Sequence, residues 1–102
     1  MDQVFRAIAD PNRRQMLRRL ASSPRPAADL GRGLGMSQPA VSQHLKVLRD
    51  VGLVKSRAEA QRRIYRLSEE GLQDIEAWLG RVRDFWNQRL DRLEQVLGEP
   101  GE

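Results

Sequence analysis

The segment AADLGRGLGMSQPAVSQHLKVLRD, residues 27–50, decides the fold. In its first half, Leu30 and Leu34 lie about one helical turn apart and predict a short helix across residues 27–34. Gly35 can adopt the left-handed conformation that ends such a helix, because glycine has no Cβ atom to clash with the backbone. This half of the segment is therefore predicted to be a short helix followed by a tight turn.

The second half of the segment predicts a longer helix over residues 38–50. Ser37 is a candidate N-cap, and Val41, Leu45 and Leu48 recur at helical spacing along one face. Two short helices joined by a tight turn that contains glycine form a helix-turn-helix. An ordinary helical hairpin is the alternative, because any two short helices can produce this pattern.

The other face of the helix over residues 38–50 carries the chemistry. A glutamine such as Gln43 can make two hydrogen bonds to an adenine edge, and Ser42 can meet either type of base. Base contacts usually come from the N-terminal turn, whereas Lys46 and Arg49 lie later and are expected to reach phosphates. The candidate DNA-binding residues of this segment are Ser37, Gln38, Pro39, Ser42, Gln43, Lys46 and Arg49.

Downstream of this helix the sequence period changes from helical to extended. Residues 53–57 and 62–67 are rich in Val, Ile, Tyr and Leu, and they predict a β-hairpin connected by residues 58–61. A basic hairpin directly after a recognition helix makes a winged helix, and arginine suits phosphate and narrow minor-groove contacts. A charged hairpin that is only solvated is the alternative. The basic residues on or beside the ribbon are Arg57, Arg62, Arg63 and Arg66, of which the first three are the candidate DNA contacts.

Helices are also predicted on both sides of this region. Residues 2–9 and 11–21 each show an apolar stripe, and the run SSPRP, residues 22–26, breaks the second of these helices. A long helix over residues 69–97 carries apolar residues every three or four positions, which is long for the core of so small a domain. We expect a two-fold interface, although ordinary core for the preceding helices is the alternative. The candidate interface residues are Val4, Phe5, Ile8, Leu72, Ile75, Leu79, Val82, Trp86, Leu90 and Leu93.

The charge distribution favours a polyanionic partner for the first two thirds of the chain. Residues 1–67 hold 14 Lys and Arg against 5 Asp and Glu, and residues 68–102 hold 4 against 9. The chain has no cysteine, which excludes disulfides, thiolate catalysis and zinc–thiolate sites. No apolar run is long enough to span a membrane and no signal peptide is evident, so the expected compartment is the cytoplasm and no membrane partner is expected.

Three blocks of the sequence resemble the ArsR/SmtB family of transcriptional regulators. They are SQPAVSQHLKVLRDVGLV at residues 37–54, FRAIADPNRR at residues 5–14, and IYRL at residues 64–67. The resemblance implies a dimeric bacterial or archaeal repressor with five helices, a β-hairpin between the fourth and fifth, and a dimer interface formed by the first and last helices. It also implies that the base-reading positions are Gln38, Pro39, Ser42 and Gln43.

The sequence departs from that family at its sensor sites. Metal-sensing members carry a Cys-rich motif on the helix that corresponds to residues 27–34, and this stretch has no thiol. Other members place Asp and His ligands on the last helix, which has no histidine here. The only histidine of the chain, His44, lies within the recognition-helix block and is expected to pack at the helix edge or contact the DNA backbone. No metal or other cofactor is therefore expected. The wing also lacks the glycine that is common at its tip in the family.

The sequence thus predicts a mainly α-helical, dimeric winged helix-turn-helix with a small β-hairpin. Residues 1–98 are assigned to one DNA-binding domain with dimerisation helices at residues 2–9 and 69–97, and residues 99–102 to a C-terminal tail. The predicted function is that of a regulator, most simply a repressor, which binds a pseudo-palindromic operator in double-stranded DNA as a homodimer. No catalytic constellation is visible, so no enzyme is expected. The alternative is a winged-helix protein-interaction module without DNA binding, and the sequence identifies no inducer.

Overall fold

The computed structural model describes residues 1–98, which form a mainly helical fold with a small antiparallel sheet. The chain divides into two compact units, residues 1–72 and the part that begins at residue 73. No helix within the described residues combines the length and the apolar composition that crossing a membrane requires. The elements are α1 (Asp2–Ala9), α2 (Pro11–Ser22), β1 (Arg25–Pro26), α3 (Ala27–Gly31), α4 (Gln38–Asp50), β2 (Val54–Glu59), β3 (Arg62–Leu67) and α5 (Glu69–Gly98).

The junction between α1 and α2 is set by local chemistry. Asp10 has an extended backbone, and its Oδ1 accepts hydrogen bonds from the backbone nitrogens of Asn12 at 2.8 Å and Arg13 at 3.1 Å. Pro11 occupies the first helical position, where its missing N–H leaves no donor unpaired. The hydrogen bond from the Arg13 backbone holds the pKa of the Asp10 carboxyl below its usual value, with a smaller contribution from the Asn12 backbone. A charged N-cap therefore starts α2.

The core of the first unit joins the helix-turn-helix to the hairpin. Its largest fully buried side chains come from α2, α3, α4 and the entry into the hairpin, and burial of each such side chain stabilises the fold by about 1.5–3 kcal/mol. Because three apolar residues on one side of α4 are buried, the opposite side of that helix faces outward. The fully buried set is Met16, Leu30, Leu45, Leu48, Leu53 and Val54.

The sheet has three strands in the order β1-β3-β2, all antiparallel. The prediction that residues 22–26 only break a helix was wrong in part, because Arg25 pairs with Tyr65 and Pro26 with Ile64. Proline is tolerated here since β1 is an edge strand. A two-residue strand is too short to show an alternating pattern, which explains why the sequence did not reveal it.

The wing tip is tighter than predicted. The strands extend to Glu59 and resume at Arg62, so that Ala60 and Gln61 form a two-residue loop in place of the predicted four-residue connection. Ala60 adopts the left-handed conformation, with φ of 57°. Two-residue hairpin loops need positive φ, which glycine usually supplies. Here an alanine occupies the position, which is why turn residues gave no signal.

The turn of the helix-turn-helix is longer than predicted. Helix α3 ends at Gly31, and the backbone nitrogen of Leu34 donates to the Gly31 carbonyl at 3.2 Å within a turn. Gly33 and Gly35 have φ of 76° and 71°, values that a continuing helix cannot contain. The predicted end at residue 34 was therefore three residues late. The bounds of α4, residues 38–50, agree with the prediction.

The second unit consists, within the described residues, of α5 from Gln73 onward. Its large apolar side chains are widely exposed, including Trp86 at 56% and Leu97 at 70%. The rings of Phe85 and Trp86 meet edge to face at 5.8 Å, and the Arg89 guanidinium lies 4.6 Å from the centre of the Phe85 ring. The assignment of residues 1–98 to one domain stays a prediction, and the predicted tail, residues 99–102, lies outside the described residues.

Candidate nucleic-acid interface

The N-terminal turn of α4 presents small and polar side chains to solvent. Ser37 caps the helix, its Oγ accepting a hydrogen bond from the Ala40 backbone nitrogen at 3.2 Å. Four further candidate residues in and just after this turn are exposed: Gln38, Pro39, Ser42 and Gln43. The amide and hydroxyl groups among them match the donors and acceptors of base edges in the major groove.

Helix α4 is held against α3 by an unusually close contact. A Cβ atom at Gly31 would overlap the Cγ2 atom of Val41, so only glycine allows α3 to approach α4 at this point. A groove of about 360 Å³ lies above the contact and is lined by residues of both helices, including Gln38 and Ser42. The close packing holds the N-terminal half of α4 against α3, while these two polar side chains stay at the surface.

The C-terminal half of α4 carries basic side chains. Lys46 donates to Asp50 at 2.8 Å across one helical turn, and this hydrogen bond holds the pKa of the Asp50 carboxyl below its usual value. Both side chains are more than half exposed, and exposed ion pairs of this kind contribute little to stability. Lys46 can therefore exchange Asp50 for a phosphate at small cost. Arg49 is exposed beside it.

The wing separates its arginines onto two faces. Lys55 is paired with Arg66, Arg57 with Ile64, and Glu59 with Arg62. Since side chains alternate across a strand, these residues share one face, which we call the basic face of the wing and define by Lys55, Arg57, Arg62 and Arg66. The basic face has one acid near the tip, since Arg57 is ion-paired with Glu59 at 3.2 Å. Within residues 1–98, the side chains of Arg62 and Arg66 make no hydrogen bond or ion pair.

Arg63 lies on the other face of the wing. It is paired with Ala58, and its Nη1 donates to Ser56 Oγ at 3.1 Å. Sequence analysis assigns Arg62 and Arg63 the same role, because two neighbouring arginines look equivalent in a linear sequence. The strand geometry turns them to opposite sides, so that a duplex lying along one face meets only one of them directly.

The root of the wing is tied to the start of α5. Lys55 Nζ lies 3.0 Å from the Glu70 carboxylate, and Gly71 packs against the Gly52 carbonyl so closely that a Cβ atom would overlap it. Glu70 accepts a hydrogen bond from its own backbone nitrogen, and this bond, together with bonds from Lys55 and Ser68, lowers the pKa of its carboxyl to about 2. Lys55, like Arg57, is thus a member of the basic face that already has an acidic partner.

Several arginines of the basic first unit are engaged inside the fold. Arg13 and Arg14 donate to backbone carbonyls near the end of α1, and Arg19 donates to three carbonyls at the end of α3. Arg25 donates through Nε to the Arg19 carbonyl at 3.0 Å. The net charge of residues 1–67 therefore overstates the positive charge available to a polyanion. Cations near helix C-termini are stabilised there by the helix dipole.

His44 is half-buried on α4, and its Nδ1 lies 3.0 Å from Nη1 of Arg13 on α2. The expectation that it packs at the helix edge fits this position. No group of three or more His, Asp or Glu side chains suited to a metal ion occurs among residues 1–98.

The predicted interface residues differ in exposure. Leu79, Trp86, Leu90 and Leu93 on α5 are at least half exposed, and Phe85, Val96 and Leu97 extend the same exposed set. The remaining candidates are half-buried: Val4, Phe5, Ile8, Leu72, Ile75 and Val82. Their role in a dimer stays a prediction.

Comparison with known proteins gives consistent results. The family model described as "Bacterial regulatory protein, arsR family" matches residues 10–56. The HTH-type transcriptional regulator Rv2034 of Mycobacterium tuberculosis is 40% identical over 101 residues, which cover 99% of this chain and 92% of that protein. The transcriptional repressor SdpR of Bacillus subtilis is 33% identical over 79 residues, covering 78% and 88%.

The fold of the chain also matches that of a solved structure. The homodimeric winged helix-turn-helix DNA-binding domain of Mb0332 from Mycobacterium bovis is 30% identical and has a TM-score of 0.65. The alignment covers 92% of this chain and 82% of that one. These results agree with the winged helix-turn-helix predicted from the sequence, with β1 added to the predicted hairpin.

Proposed function

The chain belongs to the arsR family of bacterial transcriptional regulators, and from this premise we propose that it is a homodimeric repressor that inserts α4 into the major groove of a two-fold-symmetric operator. One observation carries the proposal. The helix buries its apolar side completely while the polar residues of its first turns, among them Gln38 and Gln43, are exposed. Because the members of this family are transcriptional regulators, family membership also agrees with the prediction that the chain is not an enzyme.

Base reading is assigned to the N-terminal half of α4. The Gln43 amide can donate and accept simultaneously, which suits an adenine, and the Ser42 hydroxyl can meet either type of base. Pro39 and Ala40 are small enough to let the backbone approach the base edges. The close contact between Gly31 and Val41 packs α3 directly against α4 and so supports the recognition helix.

Backbone contacts are assigned to Lys46 and Arg49 on α4 and to the basic face of the wing. Phosphates are the same along any duplex, so these contacts supply affinity and orientation rather than sequence preference. Arg62 is the strongest wing candidate, because its side chain is exposed and makes no hydrogen bond or ion pair within residues 1–98. Arg63 contributes less, since it lies on the other face and is bonded to Ser56.

The second copy is expected to cover the apolar stripe of α5. Side chains such as Trp86, Leu90 and Leu93 are at least half exposed, and an apolar surface of this extent normally marks an interface. A two-fold axis would place two copies of α4 about 34–36 Å apart, which is one turn of B-DNA. Occupation of such an operator blocks transcription, and the proposed site of action is the cytoplasm, where bacterial DNA lies.

The rival function is a winged-helix module that binds proteins and not DNA. It provides no reason for exposed glutamines on α4 together with a basic wing face. The test is a binding titration with duplexes selected from a random-sequence library, compared with an unselected pool at several salt concentrations. We expect selected duplexes to bind at least about 10³-fold more tightly, the lower end for specific recognition. Equal binding to both pools, or binding to neither, would refute the proposal.

A further inference from the structure

Arg13 connects two helices that are distant in sequence. Its Nε donates to the Ala7 carbonyl at 2.6 Å and its Nη2 to the Arg6 carbonyl at 3.2 Å, both near the C-terminus of α1. The remaining nitrogen, Nη1, lies 3.0 Å from Nδ1 of His44 on the recognition helix. One half-buried guanidinium therefore uses all three of its nitrogens to join α1 and α4 through α2.

This contact fixes the protonation of the imidazole. A guanidinium is a donor only, so Nδ1 of His44 must accept, and the single ring proton of the neutral imidazole lies on Nε2. A second proton would place an N–H on Nδ1, pointing a donor at a donor and a positive charge at a positive charge. The contact therefore exists only while His44 is neutral.

We infer that Arg13 is a positioning residue that holds α4 in its DNA-binding orientation through neutral His44. The inference rests on the proposed function. His44 directly follows Gln43, so a change in the orientation of α4 at this position moves the side chain proposed to read bases. Arg14 offers a natural comparison, because its Nη1 donates to the carbonyls of Ile8 and Ala9 at the same end of α1, and its side chain makes no hydrogen bond to α4 among the described residues.

Two charged groups of opposite sign lie near His44. From α2 it meets the Arg13 guanidinium, and the Asp10 carboxylate at the cap of that helix opposes the effect of Arg13, because it would attract a charged imidazole. The charged groups of the other elements packed against α4 are engaged with one another. On α3, Asp29 pairs with Arg32; on β2, Lys55 pairs with Glu70 and Arg57 with Glu59.

The first experiment needs no DNA. His44 is the only histidine of the chain, so nitrogen NMR of the labelled protein reports one imidazole without further assignment. In the wild-type protein at pH 8 we expect an unprotonated Nδ1 and a protonated Nε2. In Arg13→Met the two tautomers should mix as they do in solution, whereas Arg14→Met should match the wild type. Identical spectra for wild type and Arg13→Met would overturn the inference while leaving the proposed function intact.

The second experiment measures affinity for a duplex that the wild type selects from a random library. At pH 8 we expect Arg13→Met to bind about tenfold more weakly and Arg14→Met to stay close to wild type. His44→Asn keeps an acceptor near the position of Nδ1, so it should retain affinity. Equal losses in the two arginine variants would overturn the inference.

Folding of each variant is checked by thermal unfolding. If Arg13→Met does not fold, the comparison of His44→Asn with His44→Leu decides the matter, because leucine fills similar space without an acceptor. We expect His44→Leu to bind the selected duplex about tenfold more weakly than His44→Asn at pH 8. Equal affinities for these two variants would refute the positioning role. A wild-type protein that selects no duplex would instead refute the proposed function, and the NMR comparison would still decide whether Arg13 holds His44.

Discussion

Replacement of Arg62 by alanine should change how DNA affinity depends on salt without affecting the fold. The side chain of Arg62 is exposed on the basic face of the wing and makes no hydrogen bond or ion pair within residues 1–98. Its removal therefore breaks no described hydrogen bond or ion pair. Surface substitutions of this type change stability by about 0.5 kcal/mol or less. Any large effect on binding must therefore come from the loss of contacts between Arg62 and DNA.

The magnitude follows from the number of phosphates lost. Each phosphate contact contributes about 0.9 to the slope of log affinity against log salt concentration, so a dimer that loses one contact per protomer should lose about 1.8 from that slope. Over a fourfold rise in salt, the wild type should therefore lose about twelvefold more affinity than Arg62→Ala. The loss should be the same for selected and random duplexes, because phosphates carry no sequence information.

The assay is fluorescence anisotropy with one selected and one random duplex at four or more salt concentrations. Arg63→Ala is the matched control, since Arg63 is adjacent in sequence, lies on the opposite face and is bonded to Ser56. We expect its slope to stay near that of the wild type. Equal slope changes in the two variants, or a larger change for Arg63→Ala, would refute the assignment of the basic face to DNA.

Four further predictions test other parts of the molecule. Gln43→Ala should weaken binding to a selected duplex by about 1–3 kcal/mol and leave random DNA nearly unaffected in the same anisotropy assay; equal losses on both would show that this side chain reads no base. Trp86→Asp should turn a dimer into a monomer in light scattering, because an uncompensated buried charge costs about 3–5 kcal/mol, and an unchanged mass would place the interface elsewhere. Asp10→Ala should lower the free energy of unfolding by about 1 kcal/mol at neutral pH. Because hydrogen bonds from the backbone hold the pKa of Asp10 below its unfolded value, this contribution is present above the unfolded pKa and is lost as pH falls through the folded pKa; a variant equally destabilised in strong acid would contradict this. Gly71→Ala should destabilise the protein by about 1–3 kcal/mol in chemical denaturation, because the new methyl group overlaps the Gly52 carbonyl, and a neutral result would show that the start of α5 can move away.

The sequence by itself was sufficient for the elements that rest on local periodicity. The bounds of α1 and α4, the existence of the hairpin and the cap at Ser37 follow from apolar spacing and from side chains that bond to nearby backbone. These signals act over one or two helical turns. The exposed polar face of α4 was likewise predictable, because three buried apolar positions on one side of a helix define the other side.

Only the tertiary structure decided the features that depend on contacts between distant segments. The pairing of Arg25 with Tyr65 joins residues 40 positions apart, and a two-residue strand has no pattern of its own. The grouping of Arg57 with Arg62 on one face of the wing required the register of the hairpin, which the unrecognised turn at Ala60 sets.

The arginines of the first unit show most clearly the difference between what the sequence predicts and what only the tertiary structure decides. Its charge could be counted from the sequence, but a count does not separate an arginine that faces solvent from one that bonds to carbonyl groups at a helix end. The contact between Arg13 and His44 spans 31 positions and depends on how α2 packs against α4. Such a contact leaves no trace in local periodicity, because each of its two residues is compatible with an ordinary exposed helix position.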